Sequence, residues 1–72
     1  MENFIKDFIS VGVYTIIHDT TDTDLELWLE EQENKGIKKH KVIDIDFDNG
    51  VFWIENCPYG VWFTDNFEVV NK

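Results

Sequence analysis

The order of hydrophobic and polar residues predicts one helix and several strands in an uninterrupted chain. Residues 3–9 place apolar side chains at helical spacing over a short stretch, which we assign to a short helical turn. β-Branched and aromatic residues dominate 11–17 and predict a strand. Because no repeat, linker or low-complexity tract follows, we expect residues 1–72 to fold as a single domain.

A helix is predicted over 24–35, where apolar residues recur at the i, i+3, i+4 spacing of one helix face: Leu25, Trp28 and Leu29. Thr23 and Glu26 have the spacing of an N-terminal capping box, and Gly36 is placed to end the helix. The leucines of this stretch also alternate with other residues as in a strand. The capping residues make the helix the preferred interpretation.

A β-hairpin is predicted between 42–48 and 51–55, because Asn49–Gly50 is the strongest two-residue turn signal. Pairing Asp48 with Val51 across this turn would place four hydrophobic residues on one core face: Ile45, Phe47, Phe52 and Ile54. The other face would carry Asp44, Asp46, Trp53 and Glu55.

A second turn over 57–60 would return the chain as a third strand, 61–64, with Trp62 beside Glu55 on the acidic face. Residues 65–67 are then a short corner, and 68–70 form the closing strand. The C-terminal half is therefore predicted to be a meander of antiparallel strands.

This order of elements resembles a Src-homology-three-like (SH3-like) small barrel. Over 42–70, the Val-Ile-Asp-Ile-Asp, Asn-Gly, Phe-Trp-Ile and Phe-Glu-Val-Val elements look like those of small uncharacterised proteins of low-GC bacteria and their phages. The resemblance implies an α+β fold: a small, strongly curved antiparallel sheet, with one helix inserted between the first and second strands. Val13-Tyr14-Thr15 is at most a fragment of the Ala-Leu-Tyr-Asp-Tyr signature of proline-peptide-binding members, so we transfer no peptide-binding residues.

Charge changes the picture more than any other feature of the composition. The chain has 15 acidic residues, six lysines and no arginine, for a net charge of −9. That balance argues against direct nucleic-acid binding and against anionic membranes. One cysteine permits no internal disulfide, and no secretory signal is visible, so we expect a cytoplasmic protein, in the host cytoplasm if a phage encodes it. The positive charge is concentrated in 35–41, which carries four lysines.

The residues that could carry chemistry do not form a recognisable catalytic or metal-binding motif. Asp44, Asp46, Asp48 and Glu55 imitate the spacing of a calcium-binding EF-hand loop, but Asn49 stands where that loop needs glycine. The two histidines and Cys57 are isolated from one another in the sequence, so a zinc site lacks ligands. We therefore expect no enzyme activity, no metal and no cofactor.

The predicted acidic face is the best candidate for binding, and six residues are assigned to it: Asp44, Asp46, Asp48, Trp53, Glu55 and Trp62. Its tryptophans would either lie under the helix, which we favour, or stand exposed as anchors within an acidic rim.

Two functions follow as hypotheses. The first is a small acidic, non-enzymatic binding protein, encoded by a phage or mobile element. It would dock on the basic, nucleic-acid-binding surface of a host protein and inhibit it, as DNA-mimicking anti-restriction and anti-CRISPR proteins do. The alternative is a self-assembling structural domain, such as a homodimer, that uses an exposed strand edge or the tryptophan face.

Overall fold

A computed structural model describes residues 9–70, which contain one helix and five strands. In chain order they are β1 (Tyr14–Asp19), α1 (Thr23–Asn34), β2 (His40–Asp46), β3 (Val51–Ile54), β4 (Gly60–Trp62) and β5 (Asn66–Val70). The predicted α+β composition and the position of the helix between the first two strands are confirmed. The helical turn predicted over 3–9 lies, apart from Ile9, outside the described residues.

The strands form one antiparallel sheet in the order β4-β3-β2-β1-β5. β4 and β5 are its two edges, and no pairing joins them within residues 9–70. The sheet is neither closed nor strongly curled, so the expected strongly curved barrel is wrong in this respect. A physical reason lies in β4, which has only three residues and therefore few backbone groups to offer a closing strand.

The hairpin between β2 and β3 differs from the predicted one in its turn. Asp46 pairs with Val51, and the four residues 47–50 form the turn, so Asn49–Gly50 does not connect the strands alone. The pairing of Asp48 with Val51 is therefore wrong by two residues. Because side chains alternate with a period of two, a shift by two keeps the paired residues 44–46 and 51–53 on their predicted faces.

One residue interrupts the ladder between β2 and β3. Val42 pairs with Ile54 and Asp44 pairs with Trp53, which leaves Ile43 as an extra residue in a β-bulge. Ile43 is 49% exposed, whereas Val42 is completely buried. The bulge thus lets Val42 and Ile45 both face the core, although they are three positions apart in the sequence.

The core lies between this face of the sheet and α1. Phe52 is 0% exposed and contacts the rings of Phe63 and Phe67, with ring centroids 6.2 and 5.0 Å away. The fully enclosed members of the core come from the helix, three strands and the segment before β1: Ile9, Leu25, Val42, Phe52, Ile54 and Val61. Phe47, predicted to face Phe52, is instead 44% exposed in the turn, because the strand ends before it.

The helix has the predicted extent to within one residue, but a different residue caps it. The Asp22 carboxylate accepts hydrogen bonds from the backbone N–H groups of Asp24 and Leu25, at 2.9 and 3.3 Å, so Thr23 is the first helical residue and not the cap. At the other end Gly36, with φ +84°, adopts the left-handed conformation that ends many helices, as predicted.

Candidate docking face

The face of the sheet opposite the core is built from two rows of residues that run across three strands. One row contains Asp46, Val51 and Trp62, and the next contains Asp44, Trp53 and Gly60. Residues paired across strands point to the same side of a sheet, so the carboxylates and both tryptophans share one surface. We call this surface, defined by Asp44, Asp46, Val51, Trp53, Gly60 and Trp62, the acidic-tryptophan face.

Four of the six predicted binding residues lie together. Asp44, Asp46, Asp48 and Trp53 line one shallow, open groove beside the turn after β2. Trp62 lies on the same face, in the row next to that of Trp53, and is 45% exposed. The sequence alternation therefore grouped these residues correctly, although their pairing partners differ from the predicted ones.

Glu55 is not part of this group. It follows β3 at the end away from the turn, where its backbone N–H donates to the carbonyl oxygen of Lys41 at 2.9 Å. Trp62, predicted beside Glu55, instead pairs with Val51. The difference arises because β4 begins at Gly60, which brings the third strand back further along β3 than the predicted turn would.

Asp46 has a structural task in addition to its charge. Its Oδ1 accepts hydrogen bonds from the backbone N–H groups of Asp48 and Asn49, at 3.1 and 3.2 Å, and its Oδ2 accepts from Nδ2 of Asn49 at 2.7 Å. The hydrogen bonds from Asn49, with a smaller contribution from the N–H of Asp48, lower the pKa of the Asp46 carboxyl. Asp46 therefore stays ionised and organises the four-residue turn.

Asp44 and Asp48 are freer to interact with a partner. Both side chains are exposed, and the one hydrogen bond to the Asp44 carboxylate comes from the backbone N–H of the next residue, Ile45, at 2.9 Å. An asparagine at either position has nearly the same shape and keeps an oxygen acceptor. These two residues can therefore lose their charge with little expected effect on the fold.

The two tryptophans stand outside the core, contrary to the expectation that the helix covers them. Trp28 and Leu29 of α1 pack against the core on the opposite face, and Trp28 contacts the ring of His40 at a centroid distance of 5.3 Å. Trp53 and Trp62 do not belong to the core or to the residues packed against it. The apolar side of the helix packs against the core, so it cannot also cover the tryptophans on the opposite face of the sheet.

Val51 and Gly60 are the residues of this face that were not among the predicted binding residues, and Gly60 was interpreted only as part of a turn. It lies in β4 opposite Trp53, and a Cβ atom placed there would approach Val51 Cγ2 to 2.6 Å and Trp53 Nε1 to 3.4 Å. Only glycine leaves the indole this space. A glycine entering an aromatic-rich strand is the sequence signal that could have indicated a close approach.

Trp62 is held by a connection to the loop before α1. Its backbone N–H donates to Oδ2 of Asp65 at 3.2 Å, and the hydroxyl of Thr20 donates to the same oxygen at 2.9 Å. Thr20 in turn accepts from the backbone N–H of Asp22, the helix cap, at 3.1 Å. This chain of hydrogen bonds links one edge of the acidic-tryptophan face to the start of the helix.

The charge is divided along β2. Lys41 is one residue from its start, whereas Asp44 and Asp46 lie toward its end and Asp48 lies in the turn beyond. Lys41 and Asp46 are five positions apart along the strand, a length of roughly 17 Å. That separation exceeds the Debye length of about 8 Å at physiological ionic strength, so the charge of Lys41 has little effect on the negative potential at the acidic end of β2.

Other groups that could carry chemistry lie apart from this face. Burial raises the pKa of Cys57, whose Sγ donates to the carbonyl oxygen of Tyr59 at 3.4 Å, so the thiol stays protonated. Within residues 9–70, no three His, Cys, Asp or Glu side chains are grouped to hold a metal ion. In the same part of the chain, no helix has the length and apolar character needed to cross a membrane.

The comparisons with known proteins give no match: no family model matches the chain, and neither a curated protein nor a solved structure is significantly similar to it.

Proposed function

We propose that this protein is a non-enzymatic binding protein whose acidic-tryptophan face docks on a basic surface of another protein. The observation that carries the proposal is the groove in which Asp44, Asp46, Asp48 and Trp53 lie together on the side of the sheet that the helix leaves open. Carboxylates around an aromatic side chain suit a basic protein surface, because charge steers association and the aromatic ring supplies contact area.

The target that fits this chemistry is the nucleic-acid-binding surface of a host protein, which the chain would occupy and inhibit. Such surfaces are rich in lysine and arginine, and a net charge of −9 on a 72-residue chain attracts them over a distance. We propose that the gene belongs to a phage or mobile element, as for anti-CRISPR and other DNA-mimicking inhibitors. The target would be a nucleic-acid-handling enzyme of the host cytoplasm.

The fold relationship is part of this proposal. The SH3-like resemblance rests on the order of elements along the chain: a strand, an excursion, a three-strand meander and a closing strand. The described chain has β1 to β5 in that order, with α1 in the excursion. We place the chain as an open relative of such barrels, in which a helix fills the excursion. This relationship supports a binding role, because the open face of the sheet carries the charged and aromatic side chains.

The experiment removes charge without disturbing the turn. In the variant Asp44→Asn/Asp48→Asn the fold should persist, whereas the association rate with the basic partner captured from the host should fall about tenfold at low salt. The matched control Asp24→Asn/Glu31→Gln removes two charges from the exposed side of α1. If the association rate falls equally in both variants, it depends on net charge alone, and the assignment of the docking face is wrong.

A second variant tests the aromatic contribution. Trp62→Ala should weaken binding through faster dissociation and leave the melting temperature nearly unchanged, because this side chain is half-exposed and outside the core. A variant that melts early yet binds normally would show that Trp62 stabilises the fold and does not contact the partner.

Self-assembly is the second candidate function, and the open edges of the sheet favour it. Among residues 9–70, β5 pairs with β1 alone, so its other edge offers backbone groups to which a second copy could pair. Light scattering coupled to size-exclusion chromatography separates the two functions. A dimer that persists at high salt supports assembly through the strand edge, whereas a monomer supports the acidic docking protein.

A further inference from the structure

A second concave surface lies between β1 and α1, on the other side of the molecule from the acidic-tryptophan face. It is a cleft of about 390 Å³, within the range of roughly 300–1,000 Å³ that is typical of ligand pockets. Residues 16–20 form one wall, the helix forms the second, and Ile37, Lys38 and His40 form the third. None of the predicted binding residues contributes to it.

The wall formed by β1 presents an unpaired strand edge. β1 pairs with β5 from Tyr14 to Asp19, but among residues 9–70 it pairs with β2 only at Tyr14 and Thr15. The two strands separate beyond Thr15 because the chain approaches β2 from the helix end at Gly36. In a strand, alternate residues point their backbone N–H and C=O groups toward opposite edges, so within 16–19 every second residue offers these groups at the edge that a further strand would use.

Apolar side chains stand at the mouth of the cleft. Leu27 is 64% exposed and Ile37 is 44% exposed, and both line it. His40, which is 6% exposed, lines its buried part. An occupant would therefore gain apolar contacts in addition to backbone hydrogen bonds.

The charge of the cleft selects a cationic occupant. Glu26, Glu30 and Glu33 follow one another at the i, i+4, i+7 spacing that places side chains on one side of a helix, and all three line the cleft. With Asp19 they make four carboxylates against one ammonium group, that of Lys38.

We propose that this cleft binds an extended, lysine- or arginine-rich segment of a partner protein, which adds to β1 as a strand. The backbone of the segment pairs with residues 16–19, its basic side chains face the glutamates of α1, and alternate apolar side chains contact Leu27 and Ile37. This site is independent of the acidic-tryptophan face, and either can be correct without the other.

The test uses a synthetic peptide of alternating lysine and valine, about six residues long, which is a common strand length. Titrated into the ¹⁵N-labelled protein, it should shift the amide resonances of residues 16–19 and 37–38 and slow hydrogen exchange in 16–19. The same peptide with alternate backbone nitrogens methylated keeps its charge but cannot complete the ladder, and it should bind at least tenfold more weakly.

Two protein variants test which carboxylates bind the peptide. Glu26→Gln/Glu30→Gln/Glu33→Gln should weaken binding of the alternating peptide at least tenfold and reduce its salt dependence. Asp24→Asn/Glu31→Gln, which removes two exposed charges of α1 that do not line the cleft, should leave the binding nearly unchanged. Equal binding of the methylated peptide would overturn strand addition. Shifts at Trp53 and Trp62 in place of residues 16–19, or protection of 16–19 that rises with protein concentration without peptide, would overturn the assignment of this occupant to this cleft.

Discussion

At the scale of single residues, Gly60 shows how one missing side chain shapes a surface. The indole of Trp53 and a methyl group of Val51 occupy the space where a Cβ of residue 60 would lie. The side chains of Asp44 and Asp48 are exposed, whereas the contact of residue 60 with Val51 and Trp53 is closely packed. The position of Trp53 on the acidic-tryptophan face therefore depends on a residue that carries no functional group.

Gly60→Ala should consequently displace Trp53. Introducing a methyl group 2.6 Å from Val51 Cγ2 forces one of the two to move, at a cost of about 1–3 kcal/mol in the free energy of unfolding. The Trp53 indole N–H resonance should shift, while that of Trp28, on the other side of the sheet, should not. Gly36→Ala is the control: it introduces backbone strain at φ +84° with open space around it and should leave the Trp53 resonance in place.

At the scale of elements, the helix and the hairpin show what the sequence predicts and what it leaves open. The spacing of apolar residues and Gly36 located α1 to within one residue, because a helix needs both an apolar side and an end. The choice of cap was wrong because Asp22 and Thr23 are both good capping residues and lie next to each other in the chain. The local sequence does not show which of two adjacent residues, both suited to capping, forms the cap.

The caps can be distinguished by substitution. Asp22→Ala should lower the free energy of unfolding by about 0.5–2 kcal/mol, because the N–H groups of Asp24 and Leu25 lose their acceptor. Thr23→Ala, at the first helical position, should change it by less than about 0.5 kcal/mol. Urea denaturation of both variants measures the difference. A larger loss in the Thr23 variant would identify Thr23 as the cap.

The hairpin turn was predicted from Asn49–Gly50 alone, and its true length depends on a side chain outside that pair. Asp46 offers its carboxylate to Asp48 and Asn49, which gives the backbone an alternative to a two-residue turn. The faces of the paired residues 44–46 and 51–53 were still predicted correctly, because they depend only on the period of two, whereas Phe47 and Glu55 lie beyond the ends of the strands. The bulge at Ile43 has no such rule and could not be predicted.

At the scale of the whole molecule, fifteen carboxylates give the chain its charge, but we expect a buried imidazole to make stability depend on pH near neutrality. Burial lowers the pKa of His40 below its ordinary value, because the charged ring would be held away from water. Trp28 of the helix contacts this ring, and the backbone of His40 pairs with Thr15 of β1. Protonating His40 therefore disturbs the contact between layers.

The sign of the resulting pH dependence follows from the two states. Above the ordinary histidine pKa of about 6.5, the imidazole is neutral in the folded and the unfolded chain, and its contribution to stability is fully present. As the pH falls below that value, the unfolded chain takes up a proton that folded His40 resists, and stability is lost until the lowered pKa of the folded state is reached.

Urea denaturation between about pH 7.5 and pH 5 should show this loss, in a range where carboxylates scarcely titrate. His40→Phe, which keeps a ring against Trp28, should flatten the dependence. If the native chain has constant stability over this range, or if the His40→Phe variant keeps the full dependence, His40 is not the source of the pH dependence.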